Sequence, residues 1–312
     1  MFVEVPAPAV VEAPAPVRES RWRRLLRAAP PYLYLAPGLV LLAVWVYGPL
    51  VRTAELSLYS WNLLPTSPAE PVGLDNYVRL FTLPDFGASI GRTVVLILGL
   101  LPFTLVVPVV VGLLARRVTG RAATVHQALV FAPMLVAPVA GAAVWQWMLD
   151  PRGGLVNQVL GSSTNWLQEP GPAQFAIIAI TGWHVLGFAV LVVAAGLTGI
   201  DAEYSAAAAL DGATRWQTTR WITLPLLSPT CAFLVLMTVL LAAQWSFPLI
   251  DTLTGGGPSG ATTNVYYLLW DYAFGSFDAG LGAAAGMIFF LGFGVVALGL
   301  VRLSDRLSFH DS

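Results

Sequence analysis

Six stretches of this chain are each about as long as a helix needs to cross the hydrocarbon core of a bilayer, roughly 20 residues, and none contains Asp, Glu or Arg. They are Tyr32–Val51, Thr93–Ala115, Val125–Leu149, Gln174–Thr198, Leu226–Ile250 and Leu281–Val301. Hydrocarbon offers no partner to a free backbone N–H or C=O, so such segments span as helices. The expectation is an all-α polytopic membrane protein with six transmembrane helices. Composition agrees: 57% of residues are hydrophobic and 11% charged, against about 25% charged in soluble domains, and mean hydropathy is +0.73.

All 16 basic residues are arginines. Arginine placement predicts orientation, because cytoplasmic loops hold the excess of positive charge. With the N-terminus inside, Arg18, Arg21, Arg23, Arg24, Arg27, Arg116, Arg117, Arg121, Arg215, Arg220, Arg302 and Arg306 face the cytoplasm, and only Arg52, Arg79, Arg92 and Arg152 lie outside. Both termini are then cytoplasmic. The Pro/Ala-rich opening, MFVEVPAPAVVEAPAPVRES, has no helical or strand period and reads as a disordered tail. With the basic cluster RWRRLLR at 21–27, an anchor for the anionic inner leaflet, it makes a cytoplasmic region 1–29 ahead of a membrane domain 30–312.

Several function classes fall away. Without lysine the chain has no Walker A phosphate loop and no Schiff-base chemistry. The spans hold no carboxylate of the kind that ion-coupled transporters retain in mid-membrane. No intramembrane protease motif, potassium-filter signature or metal-ligating pattern is present. The chain is not expected to be an enzyme or to bind a cofactor itself. Cys231, the single cysteine, sits in an apolar run and reads as a buried structural thiol.

The cytoplasmic segment 199–229, containing EYSAAAALDGATRWQTTRWITLPLLSP, is far longer than a connection requires. Asp201 is placed to cap a helix, the run Ala206–Leu210 favours one, and Gly212 suits a left-handed end. Thr214 with Gln217 three residues on has capping-box spacing for a second helix, which carries Trp216, Arg220 and Trp221 and is expected to stop before Pro225. An interfacial loop with its tryptophans at the headgroups is the plainer alternative.

From Glu203 to Pro225 the chain resembles the "EAA loop" of permeases of binding-protein-dependent ABC importers, through Ala207, Ala208, Asp211, Gly212, Ala213, Trp216, Gln217, Arg220, Ile222, Leu224 and Pro225. GLDNYVRLF at 73–81, DPRGGLVNQVLG at 150–161 and LTGGGPSGATT at 253–263 extend the resemblance to the sugar and glycerol-phosphate permeases over about residues 30–310. It implies the type I importer fold and localisation in the bacterial inner membrane. The implied partners are a second homologous permease, two ATPase chains that bind ATP and Mg, and an extracytoplasmic solute-binding protein. The loop is then a coupling helix docked on the ATPase, with Glu203, Ala206, Ala207, Asp211, Gly212, Ala213, Trp216, Arg220 and Pro225 as its coupling residues. The family's glutamate falls at Ala206 here, leaving Glu203 and Asp211 as the available acids; Asp211 also has a structural role open to it at the helix end.

Polar-aromatic clusters in the later spans supply candidate pathway residues: Trp183 and His184, then Gln244, Trp245 and Phe247. A lone intramembrane histidine is more often a packing residue, and Trp145 and Trp147 suit interface anchors. Pro102, Pro108, Pro133 and Pro138 imply kinks in spans two and three. LTGGGP is expected to form a tight external turn rather than a phosphate cradle. The reading is ATP-driven, alternating-access import of a sugar or related polyol. The alternatives are a glycerol-3-phosphate or glycerophosphodiester importer and, in another class, a channel without ATPase partners.

Overall fold

The computed structural model describes residues 34–116 and 120–307, which fall into two units, divided between Arg52 and Thr53. The tail, the arginine cluster at 21–27 and Arg117 lie outside the described residues. The helix α1 (Tyr34–Leu56) runs across the division, and the side chains from Leu39 to Tyr47 are exposed along it.

In the second unit a two-residue antiparallel pair, β1 (Tyr59–Ser60) and β2 (Glu70–Pro71), precedes a short helix α2 (Asp75–Thr82). The spanning elements are α3 (Pro84–Ala115), the pair α4 (Arg121–Leu135) and α5 (Pro138–Met148), then α7 (Pro170–Thr198), α10 (Ser228–Leu253) and α12 (Ala279–Leu307). Between them lie α6 (Leu155–Leu160), α8 (Ala202–Leu210), α9 (215–226) and α11 (Val265–Trp270).

Among the described residues, five helices are long and apolar enough to cross a membrane unbroken, and they give a sixth span only if α4 and α5 count together, because these meet at 95°. The expected single span Val125–Leu149 is therefore broken. The cause is local. Pro138 pushes the preceding residue out of the α region, and Val136 and Ala137 are both extended (ψ 127° and 131°), so α5 starts afresh with Pro138 in its first turn. Span two begins earlier than expected and carries Asp85 and Arg92 in its first three turns, while span five runs on to include Asp251.

Prolines elsewhere are absorbed without a break. A π turn at Ala43–Tyr47 ends two residues before Pro49, another at Pro102–Val106 two residues before Pro108, and a third at Thr219–Thr223 two residues before Pro225. A proline lacks the N–H that the regular ladder needs and crowds the carbonyl four residues back. A wide turn immediately upstream lets the ladder shift register where that bond is already missing. The second helix of segment 199–229, α9, therefore runs through Pro225 to Leu226, instead of stopping before it.

The centre of the unit is α7, buried along most of its length and packed by α3, α4 and α10. One core cluster joins Leu96 and Leu100 of α3, Ala142 of α5, Ile177 and Ile180 of α7, and Leu249 and Ile250 of α10. A second, at the coupling-segment end of α7, joins Val193 and Leu197 to Leu227 and Leu234. In a bilayer such contacts stabilise by close packing rather than by leaving water. The hydroxyls of Thr104 and Thr238, buried between α3 and α10, add a 2.8 Å hydrogen bond, worth on average about 0.6 kcal/mol inside a membrane protein.

Candidate functional site

Segment 199–229 is assembled from local signals. Asp201 Oδ1 accepts the Glu203 N–H at 3.0 Å and opens α8. At the other end Gly212 (φ +76°) closes it: the Gly212 N–H donates to Ala209 O (3.1 Å) and the Ala213 N–H to Ala208 O (2.9 Å). That pair of bonds is a Schellman turn, which needs a residue at ease with positive φ. Two residues on, Thr214 N–H donates to Gln217 Oε1 (2.7 Å) and Gln217 N–H to Thr214 Oγ1 (3.3 Å), the reciprocal capping box that starts α9.

What this frame presents outward is apolar. Leu210 is 90% exposed, and Trp216 and Trp221 are 70% exposed each, while Ala208 is buried. Exposed apolar side chains of this size mark a surface that another protein or the membrane covers. The Arg220 guanidinium lies 5.1 Å from the centre of the Trp221 ring. A cleft between the two helices is lined by Asp211, Gln217, Trp221 and Ile222. Ala206, Ala207, Glu203 and Asp211 are all exposed. The Asp211 N–H donates to Ala207 O (3.1 Å), so it is the backbone of this residue that serves the helix end. Beyond Pro225, Leu227 is fully buried and leads directly into α10. Arg116, at the end of α3, donates to the Leu197 carbonyl in the last turn of α7.

The five candidate pathway residues do not form one group. Trp183, His184 and Trp245 are together, with His184 4.9 Å from Trp183 and 5.1 Å from Trp245 between ring centres. Phe247 faces elsewhere, against Tyr267 and Trp270. Gln244 is exposed on α10. Successive positions on a helix point about 100° apart, so adjacency in sequence cannot place 244, 245 and 247 on one face. Trp145 belongs with the first group, 5.6 Å from Trp183.

The motifs at 73–81, 150–161 and 253–263 are knots of side-chain hydrogen bonds, to backbone and to other side chains, and Asn76, Asn157 and Thr262, which tie them, were not singled out in the sequence. Asn76 Nδ2 donates to Ser57 O and Tyr59 O, both at 2.9 Å, and Arg79 pairs with Asp278 at 2.5 Å. In the second, Asn157 Oδ1 accepts from Trp166 Nε1 and Ser162 Oγ, both at 2.8 Å. In the third, Thr262 donates to Gly257 O (2.8 Å) and Thr263 to Gly256 O (3.0 Å), with Thr254 and Thr262 hydroxyls 2.7 Å apart. Gly256 there has φ +81°, and a Cβ on it would lie 2.5 Å from Thr263 Oγ1. This is the tight turn the sequence suggested.

With these features in view, comparison with known proteins is direct. The family model described as "Binding-protein-dependent transport system inner membrane component" matches residues 126–309. The sn-glycerol-3-phosphate transport system permease protein UgpA of Yersinia pestis is 31% identical over 279 residues, covering 88% of this chain and 92% of that one. The trehalose/maltose transport system permease protein MalF of Thermococcus litoralis is 33% identical over 274 residues, covering 83% and 88%. Among solved structures, a bacterial ABC transporter involved in import of the acidic polysaccharide alginate aligns with TM-score 0.76 at 24% identity, over 92% of this chain and 99% of that one. A bacterial alginate ABC transporter in complex with an alginate pentasaccharide-bound periplasmic protein aligns with TM-score 0.75, also at 24%, over 93% and 97%. The chain belongs to the family of inner-membrane components of binding-protein-dependent transport systems, the permeases of ABC importers.

Proposed function

We propose that this chain is one of two permease subunits of an importer that carries a neutral hydroxylated solute, a sugar or polyol, into the cell. ATP and Mg are bound by two separate ATPase chains, and a binding protein delivers solute from outside. Both termini and segment 199–229 face the cytoplasm.

The observation that carries this reading is the coupling segment. Two capped helices meet at Gly212, present Leu210, Trp216 and Trp221 to a partner, and continue through Pro225 into the core-packed α10. A surface joined in this way to a spanning helix turns movement of an outside chain into movement within the membrane. With Ala206 at the glutamate position, the partner is held by apolar and aromatic area, supplemented by the acids Glu203 and Asp211. Gln244, exposed on α10, is the pathway candidate open to a solute passing between two permeases.

The glycerol-3-phosphate alternative draws on the name of the Yersinia relative. An organophosphate calls for cationic groups along its route; α7 and α10 contain no arginine, and α3 has Arg92 in its first three turns.

Affinity purification of the chain co-expressed with its neighbouring transport genes tests the reading. An ATPase and a second permease are expected to come down together, with hydrolysis stimulated by the loaded binding protein. A homo-oligomer that conducts solute with neither partner would exclude the importer reading.

A further inference from the structure

At the end of the bundle where Arg116 and Arg121 lie, α3, α4 and α7 leave a cleft of about 430 Å³ between them. Two close approaches bound it. A Cβ on Gly112 of α3 would lie 2.9 Å from Val193 Cγ1, and one on Gly187 of α7 would lie 2.7 Å from Val130 O of α4. The walls are hydrocarbon, with Phe131, Leu191 and Ala194 among them. Only α4 brings polar side chains to the lining, those of Thr124, His126 and Gln127. Leu129, beside the cleft on α4, is 70% exposed, and Leu191 on its wall is 57% exposed. The cleft is thus continuous with an apolar outer surface of the kind that lipid tails cover.

Charge is gathered at one end. Thr124, Ala128 and Phe131 recur at helical spacing along one side of α4, and Arg121, three residues before Thr124, continues that side to the start of the helix. Arg116 ends α3 four residues after Gly112 and donates to the Leu197 carbonyl, three residues beyond Ala194 on α7. That carbonyl occupies one of the five donors of the guanidinium. Both arginines are exposed. No carboxylate stands in α4 or α7, and α3 has only Asp85, at its opposite end.

We propose that this cleft binds one anionic phospholipid. Its phosphodiester lies against Arg121 and Arg116, with Thr124 and Gln127 bonding the headgroup and glycerol oxygens. One acyl chain runs between α4 and α7 toward the contact at Gly187 and Val130. A sugar there would leave its hydroxyls without partners, and a free phosphate would leave the apolar volume unfilled. The lipid fills the gap between three spans at the end where α7 gives way to segment 199–229. In the reading above that end is cytoplasmic, the side on which the leaflet is anionic; the site itself requires only two cations at the ends of apolar spans.

The test places the purified transporter, with the chains that accompany it, in nanodiscs, which offer lipid to both faces. Phosphatidylglycerol or phosphatidylcholine carrying a diazirine near the end of one acyl chain is added at equal mole fraction and cross-linked by light. The marked peptides are identified by mass spectrometry. Phosphatidylglycerol is expected to mark segments 124–131 and 187–194 at least about fivefold more than phosphatidylcholine, the scale of one arginine at an anionic surface. Arg116→Gln with Arg121→Gln should bring the two lipids level, whereas Arg152→Gln, in the turn after α5, should leave the preference intact. Ala194→Trp, which fills the cleft and keeps both arginines, should remove most of the marking by either lipid. Equal marking of the wild type by both lipids overturns the proposal, as does a preference that survives loss of both arginines. Excess inorganic phosphate should not compete; if it abolishes the marking, the occupant is a soluble anion and the proposal falls. Segments left unmarked in the presence of a second permease would show that chain to be the cover, and the proposal falls again. None of these outcomes turns on recruitment of an ATPase, which tests the importer reading separately.

Discussion

Two of the glycine-bearing turns among the described residues, at Gly212 and at Gly255–Gly257, solve opposite problems. The outer one holds itself. Thr254, Thr262 and Thr263 bind its carbonyls and one another, and nothing fits beside Gly256. The coupling turn is open. A Cβ on Gly212 would meet no atom within 4 Å, and the large side chains around it point into solvent. Side chains spent on internal bonds make a rigid fixture, whereas side chains left outward make a surface completed by another chain. Substitutions in the first should therefore move stability, and those in the second should move partner binding.

Gly256→Ala should have the largest effect. It combines positive φ with an immediate collision and is expected to destabilise by about 3 kcal/mol, read as lost thermal stability of the purified protein. Gly212→Val, equally unfavourable in φ but unobstructed, should cost about 1–2 kcal/mol locally. The spans should stay folded while ATPase co-purification and stimulated hydrolysis are lost; retention of both would break the contrast. Thr262→Val removes two bonds of the outer turn and should cost about 2 kcal/mol, again in thermal unfolding and without effect on ATPase association. Thr214→Ala in the capping box should cost about 1 kcal/mol, visible mainly as a severalfold fall in stimulated hydrolysis. Smallest of all in stability is Trp216→Ala, within about 0.5 kcal/mol of wild type. Its effect should appear only as weaker ATPase retention on a column, and an unchanged retention would remove Trp216 from the surface.

The coupling segment was legible in the sequence because its rules are local. Asp201, Gly212 and the Thr214–Gln217 pair each act within four residues, so spacing alone identifies them. The broken span was not. Val125–Leu149 reads as one apolar run, and although Pro138 accounts for Ala137 leaving the α region, the 95° angle between α4 and α5 follows from where each packs, α4 on α7 and α5 on α10. The passage through Pro225 was missed for a related reason, since a π turn has no residue signature of its own. The pathway cluster was half legible. Type and depth of Trp183, His184 and Trp245 were readable, but α7 is apolar all round and hides which of its faces is buried. Asn76, Asn157 and Thr262 escaped because they bind backbone that only the folded loops bring near.

The wide turn at Thr219–Thr223 has a consequence for rotation. One residue more per turn than the regular helix sets the side chains before it about 100° out of phase with those after it. Because Pro225 can donate no bond, the extra residue cannot migrate onward through it. The angular offset between Trp216, which precedes the wide turn, and Leu224–Leu226, which follow it, is thus a fixed property of the chain, and removing a single residue from 219–223 would turn one against the other by that angle.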